Sequence, residues 1–489
     1  MDNKEKKQNK FSGIRAKYGT YTIIIVALFI VGAIVVNLLA NVLTSRLGLR
    51  ADITDNRLYT ISDTTVELLE NLEEDITVTV LTTEFNYQNI STYRPIREVL
   101  MRYEQLSGGK LSVRYVDPYA NPDIVAQYSE LSTPSAADII IASSKRYTSV
   151  SPSDLYDIRI DYTAGTQQQG LQAEQKFSSA IMYCLADELP KAVRTRGHSE
   201  DDLSSLNSLL TTANYTLDAV NIAVAEIPED TALLIITNPK TDFTDVEIDV
   251  LEKYLANSGN IIVFYDYTCP DLPNFKLFLE DWGVKPMDYM VCDSQWSYVS
   301  PRAVVPSLNT SHALAENVRT STGEYVVSVD SRAWDLVWGS GVVNGFRRAT
   351  SILDTTTSSY GKSTTSGEII QNFNKAAGDV DGPFSIGVIA EEADPNTHNS
   401  AKILCLSTGA ATNDIIDNDI FLNRKLLIHA INYMNENADA LIVEGRYATS
   451  SSLSITQADA NFVFWTMCII LPVGVLVAGG VIWFRRRNR

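Results

Sequence analysis

The chain has 489 residues, 45% of them apolar and 20% charged, and a formal net charge of −19. That length exceeds one ordinary domain, and the balance of apolar and charged residues is that of a folded protein, not a disordered stalk. The acidity excludes a broad basic surface for nucleic-acid phosphates and disfavours lying flat on anionic lipid.

In chain order, residues 1–17 are a basic tail carrying Lys4, Lys6, Lys7, Lys10, Arg15 and Lys17. Residues 18–45 are uncharged and strongly apolar, as are residues 460–484, and Arg485, Arg486, Arg487 and Arg489 follow the second stretch. Each stretch is long enough to cross a hydrocarbon core of about 30 Å as a helix. The positive-inside rule then predicts a two-pass membrane protein, with both basic tails (1–17 and 485–489) cytoplasmic and residues 46–459 extracytoplasmic. A retained anchor is preferred to a cleaved signal peptide. The first run exceeds a usual signal core, and no small-x-small site precedes Arg46.

Between the spans, Val66, Leu68, Leu69 and Leu72 predict a short amphipathic helix, and the alternation of Ile76, Val78 and Val80 predicts a strand. A helix is expected over Arg94–Leu106, ended by Gly108-Gly109, then a strand over Leu111–Val116. A short helix near Asp123–Leu131, a strand at Ile139–Ile141 and a helix over Glu174–Asp187 complete a first α/β domain, residues 46–188. Past the boundary at Pro190, strands are expected at Ala192–Thr195, Tyr215–Val220, Leu233–Ile236 and Ile261–Tyr265. Helices fall between them, one bearing Leu203, Leu206, Leu209 and Leu210. The next is marked by a Thr244-x-x-Glu247 capping box and a stop at Gly259. The continuous apolar strands point to a doubly wound parallel sheet in a second α/β domain, residues 189–445. Residues 267–400 give no clear period; the pattern returns with a strand at Lys402–Leu406 and a helix over Phe421–Asn435. Residues 446–459 read as a polar tether.

Nothing in the sequence forms a complete catalytic signature. Gly361-Lys362-Ser363-Thr364 lacks the first glycine of a P-loop, because position 356 is Thr356. Leu106-Ser107-Gly108-Gly109-Lys110 reads as a helix end and a turn. Cys184, Cys269, Cys292, Cys405 and Cys468 show no paired spacing, and the four histidines are dispersed, so neither a metal site nor a cofactor is expected. Buried apolar roles and one extracytoplasmic disulfide both remain open for the cysteines. The best candidate ligand-binding group is Gly197-His198-Ser199-Glu200, between a strand end and a helix start, where free N–H groups can bind an anion and His198 and Glu200 can move protons. The same four residues also fit a plain turn in which Ser199 caps the following helix. Asn238 and Asp266 follow two further strands and would share the ligand-binding edge of the sheet.

Several of these segments resemble GldG-type proteins, auxiliary subunits of ABC transport systems. Arg50-Ala51-Asp52-Ile53-Thr54 with Leu58-Tyr59-Thr60-Ile61-Ser62 is similar to the family's juxtamembrane start, and Gly197-His198-Ser199-Glu200 to its Gly-His-Gly-Glu turn, with Ser199 replacing glycine. Thr237-Asn238-Pro239, the helix 244–259, Glu174 with Ala180-Ile181, and the terminal span match in order. The resemblance implies a thioredoxin-like unit without redox cysteines and a flavodoxin-like, glutamine-amidotransferase-like domain without its nucleophile. It also implies a non-enzymatic accessory subunit of an ABC-2-type exporter or similar complex. The implied partners are a permease and a separate ATPase, with a cell-envelope ligand as a further partner. The Ser199 departure weakens any ligand role carried over for that turn. Two rival expectations stand beside it: a membrane-anchored hydrolase or amidotransferase-like enzyme using Cys269 or His198, and an envelope scaffold or sensor without a transporter.

Overall fold

Ser62 caps α1 (Asp63–Glu70) by accepting from the Thr65 amide, and that helix, which follows helical residues at 27–32 and 34–35, packs Leu69 inward. The structure, a computed structural model, describes residues 27–32, 34–35, 60–128, 137–161, 166–316, 318, 325–364, 369–416, 420–435, 446–447, 465 and 471–487. The alternating segment becomes β1 (Ile76–Val80). It is followed by α2 (Glu84–Asn89), α3 (Arg94–Leu106), β2 (Leu111–Tyr115) and α4 (Pro122–Ala126). The chain continues through β3 (Ile139–Ala142), β4 (Tyr147–Val150), a hairpin of β5 (Tyr156–Asp161) and β6 (Thr166–Leu171), and α5 (Ala173–Leu185). The sheet order is β2-β1-β3-β4, with β1 parallel to β2 and β3 antiparallel to its two neighbours. Ile96, Val99, Leu100 and Tyr103 from α3 and Phe177, Ile181 and Cys184 from α5 pack on Val78, Val80 and Ile141. Gly108 and Gly109 end α3 with φ of +60° and +94°, a conformation that suits glycine. The predicted helix at 123–131 is shorter than expected, and the sequence reading contains no strand at β4, β5 or β6: β4 and β6 carry no apolar alternation, whereas in β5 Tyr156, Ile158 and Ile160 do alternate with Asp157, Arg159 and Asp161.

The second sheet starts with β7 (Lys191–Thr195), α6 (Ser204–Thr212), β8 (Thr216–Val220), β9 (Thr231–Thr237), α7 (Asp245–Ala256) and β10 (Asn260–Phe264). Next come α8 (Pro273–Asp281) and β11 (Val284–Asp293). Both halves of the Thr244–Glu247 capping box are present. Gly259 does not supply the left-handed stop. Ser258 does, at φ +60°, while a Cβ on Gly259 would lie 2.5 Å from the Tyr254 ring, so close packing requires that glycine.

Beyond α8, most of the stretch 267–400 proves to be an antiparallel extension of the sheet, while residues 303–304 and 328–329 pair apart as a two-stranded sheet. The stretch contains β12 (Ala303–Val304), β13 (Ser307–Leu308), β14 (Ser328–Val329), β15 (Arg332–Leu336), β16 (Val343–Asn344), β17 (Arg347–Asp354), β18 (Ser359–Ser363), β19 (Val380–Asp381) and β20 (Ser385–Asp394). β21 (Asn399–Leu406) then returns the chain to the parallel half. The main path runs β19-β18-β11-β15-β20-β21-β10-β9-β7-β8, with β17 also pairing β20. The doubly wound pattern therefore covers only β8, β7, β9, β10 and β21, and the sheet changes sense where β20 runs antiparallel to β21. The fold as a whole is mixed α/β. Gly361-Lys362-Ser363 lies on strand β18, which is no place for a phosphate loop.

Helices cover both faces of the parallel half. Leu206, Leu209 and Leu210 of α6 and Leu426, Leu427, Ala430 and Ile431 pack on Leu233, Ile235, Ile262 and Leu404. The last four of those helical residues belong to α10 (Asn423–Met434), which follows α9 (Asn413–Ile416). On the opposite face, Leu251 and Leu255 of α7 and Phe275 and Leu279 of α8 pack on Leu234, Ile236, Val263 and Cys405. Burial on both faces is why these strands read as unbroken apolar runs, each side chain contributing about 1.5–3 kcal/mol.

The chain divides into two compact units, Met1–Tyr447 and Ala448–Arg489. The first two residues of the predicted tether are a strand, β22 (Arg446–Tyr447), paired with β6; the rest of 448–459 lies outside the described residues. In the second unit, α11 (Leu471–Arg487) is helical. Most of the predicted span 18–45 and part of 460–484 fall outside the described residues, and among those described no helix is long and apolar enough to cross a membrane. Cys184, Cys269, Cys292 and Cys405 are buried and free, so of the two roles the sequence left open for the cysteines, the described residues take the buried one.

Candidate functional site

Five parallel strands end on one edge of the second sheet, and every predicted site residue lies there. Gly197 follows β7 at φ +120°, and Ser199 is left-handed at φ +58°. Ser199 is exposed and does not cap a helix: α6 begins five residues later, at Ser204, with Leu203 before it. His198 is turned inward and buried. Its ring stacks on Phe243 at a centroid distance of 4.0 Å, and its Nε2 lies 3.2 Å from Glu247 Oε1. Glu200 folds back so that Oε2 accepts the His198 amide at 2.8 Å, while Oε1 stands 3.5 Å from Nδ1. The imidazole thus lies between two carboxylates. Burial pushes the Glu247 carboxyl up, but hydrogen bonds from Thr244 and the adjacent His198 outweigh it and hold the group below its ordinary value.

Asn238 and Asp266 meet directly. The Asp266 amide donates to Asn238 Oδ1 at 3.1 Å, and Asn238 itself is left-handed at φ +52°. The His198 turn reaches this pair through Asp201, which the sequence did not single out. The Asp201 amide donates to Thr237 O at 2.9 Å, and Thr237 Oγ1 donates to Asp201 O at 2.6 Å. Asp201 Oδ2 receives Asn238 Nδ2 at 2.5 Å and lies 3.4 Å from Lys240 Nζ. Because β8 and β9 lie on opposite sides of β7, the gap between β7 and β9 is the topological switch point, where open α/β sheets bind ligands. In this chain its own Asp201 carboxylate engages the polar groups there.

Asp266 is buried, and desolvation pushes its carboxyl up to about 6 in spite of hydrogen bonds from the Thr408 amide (2.7 Å) and hydroxyl. Thr408 follows β21. Gly409 beside it has no room for a side chain, since a Cβ would lie 1.9 Å from Val329 O. Below this edge, Arg332 of β15 is 2% exposed. Its guanidinium donates to the carbonyls of Asp266 (2.9 Å), Met287 (3.1 Å), Tyr267 (3.4 Å) and Cys269 (3.2 Å), and its Nη1 lies 3.3 Å from Asp288 Oδ1. No local sequence signal marks Arg332, because all of these partners are remote in the chain.

Cys269 is buried, donating its thiol to Asn238 Oδ1 at 2.5 Å, and burial pushes that thiol up to about 12. A nucleophilic cysteine needs the opposite shift. Cys269 in the folded protein is expected to alkylate with iodoacetamide about a thousandfold more slowly than a free thiol. Peptide mapping after timed labelling checks this; prompt labelling at Cys269 under native conditions would contradict it.

Comparison with known proteins finds two family matches. Residues 55–177 match a domain of unknown function (DUF7088), and residues 186–311 match a family described as "ABC-type uncharacterized transport system". No curated protein matches the chain. Among solved structures, the mmIFT52 N-terminal domain is similar at 16% identity and a TM-score of 0.36, over 52% of this chain and all of that one. A ThuA-like protein from Bacteroides uniformis is similar at 13% identity and a TM-score of 0.33, over 52% of this chain and 95% of that one. PurLQS from Thermotoga maritima gives 12% identity and a TM-score of 0.29, over 50% of this chain and all of that one. At these scores the likenesses carry no functional information.

Proposed function

We propose that this chain is a non-enzymatic, membrane-anchored auxiliary subunit of an ABC-2-type transport complex, of the GldG type, acting with a permease and a separate ATPase. The observation that carries this reading is the match of residues 186–311 to an ABC-type transport-system family. Residues 18–45 and 460–484 would be the spans, with both termini in the cytoplasm of a bacterial cell and residues 46–459 outside, where a cell-envelope ligand or partner would bind. The order β2-β1-β3-β4 with β3 reversed supports a thioredoxin-like first domain, and the parallel strands β8-β7-β9-β10-β21 support a flavodoxin-like second domain. Burial of the Cys269 thiol and engagement of the switch-point groups by Asp201 favour a binding role over acyl transfer.

Crosslinking in intact cells, followed by purification of this chain, tests the proposal. Recovery of an ATPase and a multispan permease is the expected result. Recovery of the chain alone, or only with wall material, would favour a transporter-independent scaffold.

A further inference from the structure

An early and a late segment described in the first unit, at Ser62 and at Arg446–Tyr447, are both fastened to one five-residue stretch, Gly170–Glu174. At the early segment, the Ser62 amide and hydroxyl both donate to Glu174 Oε1, at 2.7 and 2.5 Å. Because the carboxylate takes the hydroxyl proton, Ser62 Oγ is left to accept from the Thr65 amide at 3.3 Å, the bond that caps α1. Glu174 therefore sets the cap from 112 residues away. It is buried in the first turn of α5, which is braced by Tyr103: the phenol donates to Glu174 O at 2.9 Å and lies 2.7 Å from Ser178 Oγ. At the late segment, Arg446 pairs with Leu171 and Tyr447 with Gly170 in an antiparallel ladder. From Gly170 to Glu174 is at most about 14 Å of chain. A buried carboxylate is costly unless it is hydrogen-bonded, and its use here is to hold Ser62 at the start of α1.

We propose that Gly170–Glu174 is a coupling junction, and that Glu174 is the positioning residue through which displacement of either segment reaches the other and the α5 core. It rests on the reading above in one respect, that the flanking segments lead to membrane spans; the junction itself is tested without partners. In hydrogen exchange on the full-length chain in detergent, Glu174→Gln is expected to raise exchange at residues 62–66 by roughly tenfold to a hundredfold. It is also expected to raise exchange at residues 170–171 and 446–447, while β9 and β10 stay protected. Ser62→Ala, which keeps the amide bond, should show the same paired response at smaller amplitude. Faster exchange at 62–66 with 170–171 and 446–447 unchanged in both variants would overturn the proposal, since the segments would then be independent. If Glu174→Gln loosens the whole unit, Ser62→Ala decides. Loss of transporter partners would leave these readouts intact, so the two proposals fail separately.

Discussion

Arg332→Met is expected to lower the unfolding free energy by about 3–5 kcal/mol, the range for breaking a buried charge's partnerships. Methionine fills much of the volume but donates nothing, so the carbonyls of Asp266, Met287, Tyr267 and Cys269 lose their shared donor inside the fold. The cation also lies over the Tyr265 ring, 4.6 Å from its centroid, and that contact is lost as well. Arg332→Lys should recover little. An ammonium cannot present the planar fork that reaches carbonyls on both the 266–269 loop and β11. Denaturant unfolding of the three proteins checks this, and a loss below about 1 kcal/mol for the methionine variant would show that the loop finds other donors.

The second large effect concerns pH. The Asp266 carboxyl stands at about 6 in the folded state against an ordinary value of 3.8. A raised carboxyl binds protons more tightly when folded, so its stabilisation is fully present below pH 3.8 and is lost as pH rises through 6. The shift corresponds to about 3 kcal/mol. Glu391 works in the opposite sense. Burial pushes it up, but hydrogen bonds from His312, Tyr433 and Arg348 outweigh that and hold it at about 2, so its contribution is lost as pH falls below the ordinary range. The wild-type curve is therefore a sum of opposing slopes, and the difference between proteins is the useful quantity. Asp266→Asn keeps an acceptor for the Thr408 amide and carries no charge. Relative to wild type it should gain about 2 kcal/mol between pH 4 and pH 7. Paired melts across that range test this; parallel curves would mean that Asp266 does not titrate there.

Local periodicity determined a good part of this protein. Strands β1, β7, β9, β10 and β21, helices α1, α3, α5, α6, α7 and α10, and the Thr244–Glu247 capping box were legible because each depends on side-chain spacing within one segment. Placement of Gly197, His198, Ser199, Glu200, Asn238 and Asp266 on one sheet edge followed from strand succession alone. Tertiary structure decided the rest. It turned most of 267–400 into an antiparallel extension, because those strands are placed by pairing partners remote in the chain. It gave the left-handed stop to Ser258 and left Gly259 to the Tyr254 contact, and it gave Ser199 no helix to cap. It engaged the switch-point groups with Asp201, set Arg332 beneath the edge and joined Ser62 to Glu174. Those outcomes depend on groups far apart in the chain, whose distances, burial and hydrogen bonds exist only once the chain has folded.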